Sequence, residues 1–242
     1  MEKLKIRNLL TEKNIMEIYL FGSVARGEND EYSDIDILIV IDDCEEKEYV
    51  NYKRMFAEKL KVPVEWISLY RLSKIERMFK NGSYFLWHIK KEGIKQYSRS
   101  GDLEKLLISL PKYDGVLNDL MEYKQIVNDI YNELSNSYIN INYELSVLAS
   151  LVRNTCIAIA YLNNEIDFGR KSVIITCKKI YKEQITFTLD EYSKLYDYRL
   201  FQTGKKYNVD NGSKEMLEYW IKCENELLEI AMEGVEKNER KS

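Results

Sequence analysis

Two aspartates, Asp34 and Asp36, alternate with apolar residues at the start of the run DIDILIVI. A strand buried on both faces should read as continuous Val, Ile and Leu, so each carboxylate there carries a desolvation cost that needs a partner. In extended chain, residues two apart point to the same side, where like charges repel unless a cation lies between them. Upstream, Gly22 and Ser23 end the apolar run IYLFG, and ten residues, 24 to 33, separate them from Asp34. Downstream, Glu65 is the single acid in the apolar stretch VPVEWISL.

In-line phosphoryl or nucleotidyl transfer calls for charge neutralisation at the attacked phosphorus and alignment of the attacking and leaving oxygens. Two Mg²⁺ ions about 4 Å apart supply both, held by hard carboxylate oxygens. Asp34, Asp36 and Glu65 are the three carboxylates such a cradle would use. A tight turn feeding a helix exposes backbone N–H groups and a hydroxyl to an anion. Gly22 lets a phosphate approach, Ser23 donates to it, and Arg26, one helical turn on, is within reach of the same phosphates.

Each feature alone has a plainer reading. An Asp-x-Asp at a strand end is often a loop cap, Ser23 a helix N-cap, and Arg26 a surface ion-pair residue. Glu65 at a strand edge beside a Lys would be structural. It is the set, at this spacing, that points to chemistry.

The elements that must position the set follow from periodicity. A helix over Lys3–Glu12 precedes a strand over MEIYLFG, and DIDILIVI is the second strand. Tyr49, Tyr52, Phe56 and Leu60 recur at helical spacing. The stretch VPVEWISL reads as a third strand, and FLWHIKKEGIKQY as a helix, a turn at Gly93 and a closing strand. After a soft boundary near Leu110 the pattern becomes helical, with one face through Leu117, Leu120, Val127 and Leu134. A nearly all-apolar helix spans Leu145–Leu162, and further helices lie near 171–181, 189–201 and 214–235.

The string GSVARGENDEYSDIDILI, with a later acid in an apolar strand, resembles the DNA polymerase β-like nucleotidyltransferase superfamily. It is similar in particular to the minimal and aminoglycoside nucleotidyltransferase branches. The resemblance covers roughly the first 100 residues. It implies that Asp34 and Asp36 bind both metals, that Glu65 binds the metal nearer the acceptor hydroxyl, and that Ser23 contacts the triphosphate. It also implies a nucleoside triphosphate such as ATP as donor, pyrophosphate as leaving group, and a small acceptor of the aminoglycoside type.

The helical region resembles the HEPN-like bundle that antibiotic nucleotidyltransferases carry to help bind the acceptor. Some of these enzymes draw a general base from it, which singles out Glu144 here against the plainer reading of a solvated acid. HEPN ribonucleases place a His within a turn or two of an Arg; none follows Arg153, which argues against ribonuclease activity. Arg153 and Asn154, inside the apolar helix, mark either an acceptor pocket or a satisfied core network. His88 reads as a packing or surface residue.

The expected fold class is therefore α+β: a small mixed-sheet catalytic domain over residues 1–110 and an acceptor-binding α-helical bundle over 111–242. Two rival functions stay open, a minimal nucleotidyltransferase that modifies a protein partner, as antitoxins of this superfamily do, and a nucleotide-binding module without turnover.

The totals fit this frame. The net charge of -4 argues against bulk electrostatic binding of nucleic acid. Locally, residues 61–99 carry nine Lys or Arg against three acids, a run that either faces polyphosphate or is a solvated helix face. The four Cys are scattered with no CxxC pair, which suits free thiols in the cytoplasm. Arg153 and Asn154 interrupt the most apolar window, so no membrane span is expected. Whether the chain forms a homodimer is left open.

Overall fold

Strand β2, Asp36–Ile41, is apolar at every position after its first because both of its sides are covered. The computed structural model describes residues 6–135 and 138–240. In it, Ile37, Ile39 and Ile41 pack with Phe56, Ala57 and Leu60 of helix α2 (Glu46–Leu60) on one face. Leu38 and Val40 pack on the other with Ile75, Leu86, Ile89 and Leu103. Those four come from α3 (Leu72–Lys80), α4 (Tyr84–Glu92) and α5 (Asp102–Ile108). Burying the side chains of Ile37–Ile41 contributes about 1.5–3 kcal/mol each.

The sheet has the order β3-β2-β1-β4, with β1 at Ile15–Phe21, β3 at Ile67–Arg71 and β4 at Ile94–Ser98. Strand β1 runs antiparallel to β2 and β4, and β2 runs parallel to β3, so the sheet is mixed. The antiparallel step from β1 to β2 passes through the short helix α1, Gly22–Arg26, and the loop after it. The parallel step from β2 to β3 takes α2 as its crossover.

Two local expectations are corrected. Of the helix expected over Lys3–Glu12, residues 3–5 lie outside the described residues, and the rest forms only a four-residue 3-10 turn at Ile6–Leu9. The third strand does not begin in VPV: Pro63 caps a 3-10 turn at Val64–Trp66, and β3 starts at Ile67. Pro63 supplies no N–H to a ladder, which defers strand pairing until the turn has closed.

The chain divides into two compact units, Met1–Asp114 and Gly115–Ser242. Among the described residues the regular elements of the second unit are helical: α6 (Val116–Glu133), α7 (Ile141–Leu162), α8 (Ser172–Tyr181) with a 3-10 turn at Lys182–Gln184, α9 (Leu189–Gln202) and α10 (Lys214–Glu239). Helix α7 is its centre and packs against α6, α8, α9 and α10. The helix starts are set locally. Asn140 and Ser213 each accept a backbone N–H, and Thr188 with Glu191 forms a capping box before α9.

By length and composition α7 is apolar enough to cross a membrane, yet 67% of its apolar window is buried. Within the helix, Arg153 donates to the Phe168 carbonyl at 2.5 Å, while its Nε is buried without a hydrogen-bond partner. Thr155 donates at 2.6 Å to the fully buried Glu224, whose carboxyl burial pushes up to about 8 despite that bond. All four cysteines are free thiols, with Cys156, Cys177 and Cys223 buried.

Candidate active site

Phe21 ends β1 opposite Asp36, the first residue of β2, so the Gly22 turn and the Asp-x-Asp segment meet at one end of the sheet. Gly22 has φ +74°, the left-handed region where a side chain is strained. A Cβ placed on it would fall 2.0 Å from Oδ2 of Asp36 and 2.9 Å from its Cγ. The aspartate thus sits directly on the glycine backbone, and only glycine leaves room for it. Asp34 lies two residues earlier, in the irregular segment that enters β2, and both aspartates are half-buried.

Asp36 shares its face of β2 with Leu38 and Val40, the face covered by α4. By the same alternation on β3, Ser68 and Tyr70 lie on that face, whereas Ile67 and Leu69 pack on the other. Glu65 stands apart from this pattern. It is exposed, in the 3-10 turn before β3, and not within a strand beside Asp36. Among the described residues no group of three His, Cys, Asp or Glu side chains is arranged as a metal cage. The donor chemistry of Asp34 and Asp36 nevertheless suits a hard cation, and the space held open over Gly22 seats one of those carboxylates.

Arg26 is an ion-pair residue in this structure. Its Nε donates to Glu28 at 2.7 Å, and its Nη1 lies 2.7 Å from each carboxylate oxygen of Glu92. Glu92 Oε1 also accepts the Gly22 N–H at 2.7 Å, and His88, one turn earlier on α4, pairs with the same oxygen. His88 packs edge-on against Phe21 with ring centroids 5.3 Å apart, so the packing reading holds for its ring. Glu92 had no signal in the motif. The 88/92 spacing puts both residues on one helix face, and nothing local shows that this face meets Gly22.

Four of the nine basic residues in the run 61–99 are engaged by groups of the protein itself. Arg71 pairs with Glu46 at 2.8 Å and lies over the Tyr49 ring, and Lys90 donates to the Ile108 carbonyl. Lys95 pairs with Glu104, and Arg99 grips Asp42 through two N–H groups at 2.9 and 2.6 Å. Of these only Lys90 lies on a helix, so the run is not a single solvated helix face.

In the second unit, Glu144 lies half-buried in the first turn of α7. Burial and the neighbouring charge of Glu133 hold its carboxyl above the usual carboxylate range.

Residues 3–96 match the family described as nucleotidyltransferase domain. No curated protein sequence matches the chain. Among solved structures, a toxin–antitoxin with AMP-PNP is 20% identical with a TM-score of 0.33, the match covering 52% of this chain and 94% of that one. The spectinomycin adenyltransferase AAD(9) from Enterococcus faecialis, with ATP and spectinomycin, is 13% identical with a TM-score of 0.48, covering 93% of this chain and 96% of that one.

Proposed function

We propose, from the premise that this chain carries a nucleotidyltransferase domain over residues 3–96, that it moves a nucleoside monophosphate from ATP to a hydroxyl of a small aminoglycoside-type acceptor in the cytoplasm. The observation that supports the chemistry is the carboxylate of Asp36 seated on the Gly22 backbone, a hard-ligand acid beside the turn read here as the triphosphate site. The acceptor class is supported by the sequence resemblance of the GSVARGENDEYSDIDILI string and by the helical unit that follows it.

In this reaction the acceptor oxygen bonds to the α-phosphorus, the bond from that phosphorus to the bridging oxygen breaks, and pyrophosphate leaves. Asp34 and Asp36 would hold Mg²⁺, with Glu65 as a third ligand. Bound there, Mg²⁺ offsets the charge that builds on the phosphoryl oxygens. Ser23 and the Gly22 turn orient the triphosphate, and the resemblance makes Glu144 the candidate for the base that takes the acceptor proton. A carboxyl whose affinity for protons is raised is a better base at neutral pH.

Incubation with labelled ATP, an antibiotic panel and cell lysate tests the reading. Label on a small molecule is the expected result. Label on a protein band would move the acceptor to a protein partner, and ATP binding without pyrophosphate release against every acceptor would make the chain a binding module.

Two substitutions test the outlying acids. Glu65→Gln is expected to lower turnover at least tenfold while ATP–Mg²⁺ affinity stays within a few fold, since one ion travels with the triphosphate. Lost stability with full turnover would assign Glu65 to structure. Glu144→Gln should lower turnover by about 10² to 10⁴ without weakening ATP binding. Unchanged turnover would remove Glu144 from the mechanism.

A further inference from the structure

Glu92 is placed where a carboxylate is costly on two counts. It is the last residue of α4, where the helix dipole already presents negative charge, and its side chain is only 6% exposed. Burial raises its affinity for a proton, but the His88 and Arg26 side chains beside it more than offset that and hold its carboxyl below the ordinary glutamate value. Its oxygens are met from two directions. The Gly22 N–H and the Arg26 guanidinium reach it from the turn after β1, each at 2.7 Å, and His88 reaches it from its own helix.

A backbone N–H and a guanidinium converging on one point make an anion receptor, and such charge-assisted bonds are about twice as strong as neutral ones. Here the receptor is filled by the protein itself. We infer that Glu92 is a specificity-determining residue: an internal carboxylate that holds the Gly22–Arg26 anion receptor and that a polyphosphate must displace in order to bind. The inference rests on the nucleotidyl-transfer reading, because it takes the Gly22–Ser23 turn to be where a triphosphate docks.

The consequence is selective. A ligand that uses the receptor binds only the fraction of molecules from which Glu92 has withdrawn, and its apparent affinity falls by that fraction. A ligand that leaves the receptor alone, such as AMP, bears no such cost. A polyanion in which several oxygens compete for Gly22 and Arg26 can displace one carboxylate, whereas a weakly charged ligand cannot. The plainer role, a brace that keeps the turn and α4 together, makes the opposite prediction, since removing a brace loosens the site it supports.

Calorimetry on the full chain with ATP–Mg²⁺, inorganic tripolyphosphate and AMP separates the two. For Glu92→Gln, which keeps the shape and removes the charge, ATP and tripolyphosphate are expected to bind about tenfold tighter, with AMP changed less than twofold. Glu92→Asp, one methylene too short to meet Gly22 and Arg26 together, should tighten binding in the same direction by less. Equal or weaker triphosphate binding by either folded variant would overturn the inference in favour of the brace, as would failure of both to fold. If neither the natural chain nor the variants bind ATP or tripolyphosphate, the nucleotidyl-transfer reading itself falls and this inference with it.

Discussion

Asp36→Asn is expected to reduce nucleotidyl transfer by about 10³-fold or more while the fold survives. The substitution keeps the size of the side chain and removes its charge. A carboxylate ligand lost from a metal-assisted phosphoryl centre removes several kcal/mol of stabilisation from the transition state. Each 1.4 kcal/mol corresponds to about tenfold in rate. The structure predicts no matching loss of stability, because Asp36 is half-buried at the mouth of β2 and the apolar residues that hold the strand begin at Ile37. Relief of repulsion between Asp34 and Asp36 acts in the stabilising direction, as is common where function places like charges together. Pyrophosphate release at saturating ATP and Mg²⁺, beside a thermal melt, is the measurement. Transfer within a few fold of the natural chain would remove Asp36 from the centre.

Gly22→Ala is expected to lose both stability and activity, in proportions that a second glycine helps to apportion. At φ +74° any side chain is strained by about 1–2 kcal/mol. Gly27 has φ +70° and a Cβ on it would meet nothing within 4 Å, so Gly27→Ala carries the strain alone. At Gly22 the new methyl would also fall 2.0 Å from Asp36 Oδ2, and the aspartate must move. A displacement of about 1 Å at a reacting centre can lower the rate by about 10². Gly22→Ala should therefore melt below Gly27→Ala and lose transfer by at least that factor, whereas Gly27→Ala should keep it. Comparable activity in the two variants would show that the contact between Gly22 and Asp36 is unimportant to the chemistry.

The sequence by itself determined the α+β class and most element positions, because each rests on a local pattern. The run Ile37–Ile41, short, β-branched and closed by an acidic turn, reads as a strand covered on both sides, and α7, α9 and α10 carry capping residues at their starts. The approach of Gly22 to Asp36 is legible for the same reason, as a short helix, a loop and an antiparallel return bring the ends of two neighbouring strands together. Where alternation of apolar residues was the whole signal, it misled. VPVEWISL alternates well enough for a strand, but Pro63 supplies no donor and a 3-10 turn takes the first half, which leaves Glu65 exposed ahead of β3. Only tertiary structure decided that Glu92 reaches Gly22 and Arg26, 70 and 66 residues away along the chain. That contact depends on α4 packing across the face of the sheet through Leu86 and Ile89, and burial of apolar area has no direction in sequence. The polar partners it brings together are a consequence of that packing and carry no local pattern of their own.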